Sequence, residues 1–261
     1  MTANFFEKGS HRVQRNTDAR EFLLEIVHYP NVSVCLDGHS RSHPCHRIVA
    51  SQRSRSIEVF QVPEPWSGRL LEAPLLFLSS NPSISETEEY PTGSWQDQKI
   101  EAYFDRRFER SIVDGIRTRQ RDGSYSKSVA FWREVRARAT ELYERPVTPG
   151  RDYALTEVVH CKSRKNDGVE QALNECSKRY LSRVLSYAEA KVVICLGELV
   201  KRVVAKKIDL PLGVQIYGPT AIRGKIRYFV FSAQPGSNKP RKFSATLSEQ
   251  DFTRLRGVLK A

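Results

Sequence analysis

The chain has 261 residues, of which 39% are hydrophobic and 10% aromatic, and its 42 Lys and Arg outnumber 30 Asp and Glu to give a net charge of +12. The length suits one large α/β domain, and because no apolar run approaches the roughly 20 residues of a membrane helix, a soluble protein is expected. The positive charge favours a partner that carries phosphates, with an ordinary basic enzyme as the alternative.

Residues 1–65 are polar and rich in Ser, Arg and His, with one amphipathic segment at 18–27. They predict an irregular N-terminal extension packed on a main domain at 66–261. The N-terminus has no charged segment followed by an apolar stretch, so no signal peptide is expected and the protein is predicted to be cytoplasmic.

The main domain is predicted to alternate strands with helices. Its first strand is the apolar run 74–78, which breaks into a loop at Ser79-Ser80-Asn81-Pro82. The later elements are predicted as helices at 97–119 and 128–144, a strand at 153–159, a helix at 168–188, a strand at 191–197, a helix at 198–207, a strand at 227–232 and a helix at 248–259. This alternation predicts a three-layer α/β/α fold around a central, mainly parallel four-stranded sheet.

Polar segments follow three of these strands. They are Asn81-Pro82-Ser83, the segment from Thr156 to Cys161, and the segment from Gln234 to Ser237. Because open α/β sheets bind ligands outside the carboxyl ends of their strands, the three segments predict one site.

The order and spacing of these segments resemble the uracil-DNA glycosylase superfamily, most closely its iron-sulfur branch. That family has a strand ending in a catalytic Asn or Asp followed by Pro, then a Thr-Asn-x-Val-Lys-Cys-like segment with a second Cys downstream, and last a His-Pro-Ser-like loop. Leu196-Gly197 after an apolar strand also matches, and the resemblance covers roughly residues 70 to 245. It implies the uracil-DNA glycosylase fold, DNA as partner and hydrolysis of the bond between a flipped base and its sugar.

Asn81 and Gln234 are the predicted catalytic residues. Glycosidic cleavage passes through a positively charged sugar and an anionic base, so an Asn amide that orients the water suits the reaction. A strand-terminating turn is the alternative role for Asn81. Gln234 stands where the family commonly has His, and its amide can donate a hydrogen bond to the departing base although it cannot become cationic.

Glu157 is predicted to read the base, because the iron-sulfur branch has a uracil-reading Asn at this position. An ionised carboxylate accepts from the N4 amine of cytosine and opposes O4 of uracil. Activity on ordinary cytosine would destroy the host genome, so a modified cytosine, as in phage DNA, is the favoured substrate. Uracil or another deaminated base in repair is the alternative, and pairing with Lys162 or Arg164 is the non-catalytic alternative for Glu157.

Two aromatic residues and one loop complete the predicted DNA contacts. Tyr90 or Trp95 is expected to stack on the flipped base, with a core or lid role as the alternative. The loop that follows Gln234 is expected to contact DNA, with a solvated basic loop as the alternative. Its predicted DNA-binding residues are Ser237, Asn238, Lys239 and Arg241, of which Lys239 and Arg241 would hold phosphates and Asn238 would fill the vacated stack.

Four of the five cysteines are candidate metal ligands, and a disulfide framework is not expected in a chain without a secretory signal. Cys161 and Cys176 stand at two ligand positions of the iron-sulfur branch, and Cys35 and Cys45 could supply the other pair. Nine residues separate Cys35 from Cys45 where the family has two. Nearby histidines are His39, His43 and His46. A 4Fe-4S cluster is the first expectation, zinc with mixed Cys and His ligands the second and no metal the third. Cys195, inside an apolar strand, is assigned to the core.

Two other function classes explain less of the sequence. A non-catalytic nucleic-acid-binding protein explains the charge but not the polar residues at three strand ends. A doubly wound nucleotide-binding enzyme lacks its Gly-x-Gly-x-x-Gly or Walker pattern in this sequence. The favoured reading is a DNA glycosylase that acts as a monomer, either in repair or in defence against phage DNA.

Overall fold

The computed structural model of the protein describes residues 3–38, 40–210, 213–239 and 241–261, with side chains from residue 13 onward. The candidate ligand His39 lies outside the described residues. The helices are α1 (Ala3–Val27), α2 (Asn31–Leu36), α3 (His46–Ala50), α4 (Asp97–Asp105), α5 (Arg107–Arg110), α6 (Ala130–Tyr143), α7 (Val169–Cys176), α8 (Ser182–Tyr187), α9 (Glu198–Ile208), α10 (Phe243–Thr246) and α11 (Glu249–Lys260). The strands are β1 (Leu75–Ser79), β2 (Ile112–Val113), β3 (Arg117–Thr118), β4 (Tyr153–Glu157), β5 (Val192–Leu196), β6 (Ile216–Ile222) and β7 (Lys225–Ser232).

The central sheet has the strand order β4-β1-β5-β7-β6. The first four strands run parallel, and β6 pairs antiparallel with β7. The fold is therefore α/β with a mostly parallel sheet, as the sequence predicts, but the sheet has five strands rather than four. The fifth strand has no clear strand pattern because Gly218 and Pro219 interrupt it.

Strand β6 carries a bulge at this interruption, since its register with β7 shifts between Tyr217 and Thr220. Gly218 has a φ of +131°, and a Cβ there would lie 2.5 Å from the carbonyl oxygen of Arg227. Glycine is therefore required at this close approach of two backbones. At the opposite edge, the backbone of Ser67 exchanges hydrogen bonds of 2.7 and 3.0 Å with Leu155 of β4.

Strands β1, β4 and β5 are buried on both faces of the sheet, which explains their mainly apolar sequences. In β1, Leu76 and Leu78 face a core that includes side chains of α1, α7 and α8, while Leu75 and Phe77 face a core formed with α6 and α11. Helices thus cover both faces of the sheet. None of the described helices combines the length and apolar composition that a membrane-spanning segment needs.

The N-terminal residues are helical, so the prediction of an irregular extension is wrong. Helix α1 covers the predicted amphipathic segment and begins well before it. Phe22, Leu23 and Ile26 of this helix are buried in the same core as Trp66 and the strands. The earlier part of α1 is polar, so it shows no helical periodicity in the sequence.

The predicted helix at 97–119 ends earlier than expected. Helices α4 and α5 are followed by the short hairpin β2-β3. Asp114 and Gly115 adopt φ values of 56° and 67° in its turn, a conformation incompatible with a continuing right-handed helix. The remaining predicted helices and strands of the main domain are present with shifted ends.

Candidate active site at the carboxyl ends of the strands

A cavity of about 400 Å³ opens at the carboxyl ends of the parallel strands. The side chains of Asn81, Glu157 and Gln234 line it together. Glu157 is the last residue of β4, Asn81 follows β1, and Gln234 follows β7. The structure therefore brings the three sequence-predicted residues to one site.

The loops after β1 and β4 are held against each other, which fixes the cavity wall. Past the strand ends, Val159 N donates to Ser80 O at 2.9 Å and Ser163 N donates to Pro82 O at 3.1 Å. Ile84 N returns a bond to Ser163 O at 3.2 Å. Backbone hydrogen bonds between the two loops thus continue beyond the ends of the strands, although Pro82 has no N–H group to donate.

Asn81 is held in one orientation. Its Nδ2 donates to Pro82 O at 3.1 Å and to Ser163 Oγ at 2.8 Å. Because a carbonyl oxygen only accepts, the amide nitrogen must face Pro82. Asn81 Oδ1, which accepts from Ser80 Oγ at 3.2 Å, keeps a further lone pair for a ligand or water.

Glu157 is buried, and its Oε2 atom has no hydrogen-bond partner. Burial, followed by the charge of Glu64, raises the pKa of the Glu157 carboxyl well above its usual value, although Arg107, Lys162 and Ser79 oppose this shift. Burial and the charge of Glu64 therefore oppose the ionised carboxylate that the sequence predicts, while Arg107 and Lys162 favour it.

Glu157 makes no ion pair with Lys162 or Arg164 in the described part of the chain. Lys162 Nζ lies 3.5 Å from Glu88 Oε2, and Arg164 Nη2 lies 2.6 Å from Glu86 Oε1. Both cations are thus engaged with other carboxylates, and Glu157 keeps an unsatisfied polar atom in the cavity wall.

Four buried charged residues, Glu64, Glu88, Arg107 and Lys162, form an ion cluster in the wall of the cavity. Arg107 pairs with Glu64 and lies 3.0 Å from Glu88 through Nη2. Burial lowers the pKa of Lys162, whereas its charge and that of Arg107 lower the pKa of Glu88 against the effect of burial. The cluster joins four distant segments of chain around Glu157.

The two aromatic residues predicted to stack on the base do not line the cavity. Tyr90 is buried, with its hydroxyl 3.3 Å from Glu64 Oε2 and Lys162 Nζ 3.4 Å from its ring centroid. Trp95 packs edge-to-face on Tyr103, at 5.9 Å between centroids. Both sit behind the site as packing residues.

Two other aromatic residues, Phe131 and Trp132 at the start of α6, line the cavity in the described part of the chain. Phe131 is half-buried and Trp132 is buried. Val135 and Leu142 of α6 are fully buried, whereas Phe131 packs partly against the same core and also lines the cavity. Phe131 is thus an aromatic surface available to a planar ligand.

Gln234 packs against Gly197, which explains the glycine after β5. Gly197 has a φ of +89°, and a Cβ there would lie 2.9 Å from Gln234 Oε1. Any other residue would be strained and would displace Gln234.

The loop after Gln234 borders the cavity with a mixed set of side chains. Asn238 and Lys239 are exposed, and Arg241 lies 3.8 Å from Glu134. Ser237 is half-buried, and its Oγ has no hydrogen-bond partner. Lys239 is thus the predicted phosphate contact with the more accessible charge.

Cys35, Cys45, Cys161 and Cys176 are all buried free thiols in one core. A hydrogen bond with Cys176 lowers the pKa of Cys45, and the charges of Cys45 and Cys35 add to the burial that raises the pKa of Cys161. Because these cysteines affect one another's pKa, the four predicted metal ligands lie in one region of the core. Two of them come from residues 35–45 and two from residues 161–176.

The donor chemistry of this region fits the predicted metal. Thiolates suit iron-sulfur clusters and zinc. Histidine nitrogens are close, since His43 Nδ1 lies 3.8 Å from Cys35 Sγ and His46 Nδ1 is buried without a partner. Within the described ranges, no three His, Cys, Asp or Glu side chains stand in the arrangement of a formed metal site.

Sequence reasoning missed the ion cluster and the cavity aromatics. Arg107 occurs in a helix rich in Arg and Glu, where a buried arginine cannot be told from a solvated one. The sequence gives a weak indication that Lys162 belongs to the site, because this residue directly follows the strand-end segment that contains Glu157. Phe131 fits the helical spacing of the apolar residues in α6, so this periodicity predicts a core position for it.

No protein-family model matches the chain, and no curated protein matches it at a significant level. Function must therefore be inferred from the chemistry of the cavity.

Proposed function

We propose that the protein is a DNA glycosylase of the uracil-DNA glycosylase superfamily, which flips a non-canonical base out of DNA and hydrolyses its bond to deoxyribose. The observation that carries the proposal is the convergence of Asn81, Glu157 and Gln234 on one cavity. Enzymes that act on a base must accept it outside the stack in such a pocket. The net charge of +12 supports DNA as the partner.

Each of the three residues has a distinct role in this reaction. Asn81 Oδ1 accepts a hydrogen bond from the attacking water and directs it to the sugar carbon. The Gln234 amide donates to the base as negative charge develops there. Phe131 offers a face for the flipped base.

Glu157 reads the edge of the base as a neutral acid. Its O–H donates to N3 of cytosine, and its carbonyl oxygen accepts from the N4 amine. The cavity of about 400 Å³ exceeds the space that a bare pyrimidine ring fills, and the polar residues Thr118, Gln120 and Ser126 are part of its lining. A cytosine with a polar substituent is therefore the favoured substrate, which suits a role in defence against modified phage DNA.

Uracil is the second candidate, and the protonation of Glu157 supports it. A neutral carboxyl can also donate to O4 and accept from N3–H, so the clash expected of an ionised Glu157 disappears. In that case the protein acts in base excision repair. A purely DNA-binding role is the candidate of another class, and the unsatisfied Glu157 atom in the cavity argues against it.

The four cysteines would hold a 4Fe-4S cluster, or zinc in the mixed-ligand alternative. Such a group supplies structural cross-linking between the N-terminal helices and the segment after β4. The reaction itself uses the side chains of the cavity. We further propose that the enzyme acts as a monomer in the cytoplasm.

A panel of oligonucleotides tests the function. Duplexes that carry uracil, hypoxanthine or a 5-substituted cytosine are incubated with the protein, and abasic sites are scored by alkaline cleavage. We expect cleavage at the substituted cytosine to be the fastest. Faster release of uracil would select the repair function, and binding without release of any base would reject the glycosylase.

A further inference from the structure

A second groove, of about 540 Å³, adjoins the cavity on the side of β4 and β1. Ile84 lines both the cavity and this groove. The charged residues of the groove are four arginines and one glutamate, namely Arg53, Arg55, Arg121, Arg164 and Glu86. The groove is thus strongly positive.

Most of this positive charge is unpaired. Arg164 Nη2 lies 2.6 Å from Glu86 Oε1, which neutralises one arginine. Arg53, Arg55 and Arg121 are exposed and make no ion pair with any residue that the structure describes. Three neighbouring guanidinium groups without counter-charges repel one another, so an anionic partner would stabilise them.

The groove is rigidly connected to the cavity. Gln52, next to Arg53, exchanges hydrogen bonds of 3.0 Å with the backbone of Gln61, and Gln61 Nε2 donates to Ser85 O at 2.6 Å. Arg121 N donates to the carbonyl oxygen of Thr87 at 2.9 Å. The segments that carry these arginines are therefore bonded to residues 85–87, which form part of the cavity wall.

The fourth arginine is connected to the proposed catalytic residue. Arg164 follows Ser163, whose Oγ accepts from Asn81 Nδ2 at 2.8 Å. A ligand held in the groove is thus positioned relative to Asn81 through a short chain of hydrogen bonds.

The groove and the loop after Gln234 lie on opposite sides of the cavity. Ile84 and Arg164 follow β1 and β4, whereas Lys239 follows β7, and β5 separates β1 from β7 in the sheet. A strand of DNA that crosses the cavity can therefore meet positive charge on both sides.

We propose that this arginine groove binds the DNA backbone on the side of the flipped nucleotide opposite to Lys239. The inference rests on the proposed function and adds the path of the DNA. Guanidinium groups suit this partner because they form paired hydrogen bonds with phosphate oxygens. The loop after Gln234 would hold the phosphates on the other side.

The test compares two double variants that remove the same charge. Arg53→Gln with Arg55→Gln alters the groove. Lys206→Gln with Lys207→Gln is the control, because these exposed lysines end α9, which runs away from the cavity after Gly197. Binding of a fluorescent duplex is measured by anisotropy at salt concentrations between about 50 and 300 mM. In this range the affinity depends strongly on contacts with phosphates.

We expect the groove variant to lose roughly 10- to 100-fold in affinity at low salt, and its salt slope to become less steep by about 1 for each arginine. The control should change the slope by less than about 0.5, because distant charges are screened. Ethylation interference on wild-type protein should mark phosphates on both sides of the target nucleotide, and the groove variant should lose one side.

Failure of this inference is separable from failure of the proposed function. Equal losses in the two variants, or an interference pattern that the groove variant leaves unchanged, would overturn the groove while base release by the wild-type protein continues. Equal affinity for duplex RNA with no base release would overturn the proposed function. Absence of DNA binding by the wild-type protein would overturn both.

Discussion

Asn81 is fixed by neighbours on two strand-end loops, with Nδ2 bonded to Pro82 and Ser163 and Oδ1 in the cavity wall. We expect Asn81→Ala to reduce base release by roughly 100- to 1000-fold, the scale for loss of one well-placed polar group. Affinity for DNA should change little, because the phosphate contacts lie elsewhere. Single-turnover release and anisotropy measure the two effects.

Asn174→Ala is the control for this variant, since Asn174 is an exposed asparagine on α7. Its base release should match the wild-type rate. An Asn81→Ala protein with full activity would show that Asn81 is only a strand-terminating residue.

Glu157 predicts a specific pH dependence. Its pKa is raised in the folded protein, so the neutral acid is favoured at low pH and the proton is lost as pH rises through that raised value. Stability associated with the neutral form is present below the unfolded pKa and declines above it, by about 1.4 kcal/mol for each unit between the two values. Base release should decline over the same upper range, because the O–H donor disappears.

Glu157→Gln separates this titration from other effects, because the amide keeps one donor and one acceptor without a proton to lose. The variant should gain stability relative to wild type as pH rises, as measured by urea denaturation. Its activity should be less dependent on pH than that of wild type. Parallel pH profiles for the two proteins would contradict a neutral Glu157.

Residues of the site differ in how far the sequence reveals them. Asn81, Glu157 and Gln234 each follow or end an apolar strand, so parallel topology alone predicts that they meet. The raised pKa of Glu157 could not be predicted, since it depends on burial and on the charge of Glu64. The sequence position of Phe131 is compatible with the core and with the cavity wall. Its place in the cavity wall depends on where α6 begins relative to the cavity, which the sequence does not reveal.

At the scale of elements, the cysteines join the N-terminal helices to the segment after β4 and to α7. We expect purified protein to contain iron and to show broad visible absorbance, and Cys161→Ser or Cys176→Ser to abolish both with much of the soluble yield. Elemental analysis and the absorption spectrum provide the measurement.

Cys195→Ala is the matched cysteine control. Cys195 lies inside β5, and burial alone raises its pKa, with no contribution from the other four cysteines. Its metal content should equal that of wild type. Zinc in place of iron would support the mixed-ligand site, and a protein without either metal would remove the site.

Helices and strands could be predicted from the sequence where burial requires a regular spacing of apolar residues or a continuous apolar run. The four parallel strands and helices α6, α9 and α11 belong to this group. The first half of α1 has no apolar stripe, and β6 is interrupted by Gly218-Pro219, so neither gives a local signal. The β2-β3 hairpin was hidden because its residues continue the alternating charges of the preceding helices.

At the scale of the whole molecule, sequence order predicts the parallel core but not which distant segments share the site. The arginine groove combines residues 53–55, 121 and 164, which no local pattern connects. Net charge indicates a polyanionic partner and contains no information about where that partner lies. The hydrogen bonds to Ser85 and Thr87 connect the segments of the groove to the cavity wall.

The two borders of the central sheet also have a consequence for the behaviour of the protein at high concentration. Exposed strand borders invite pairing between molecules and the growth of fibrils. Here Ser67 already occupies the backbone groups of Leu155 on one border, and the bulge with Pro219 interrupts the ladder on the other. These two features interrupt the backbone ladder at each border, so we expect them to hinder the pairing of native molecules through the sheet.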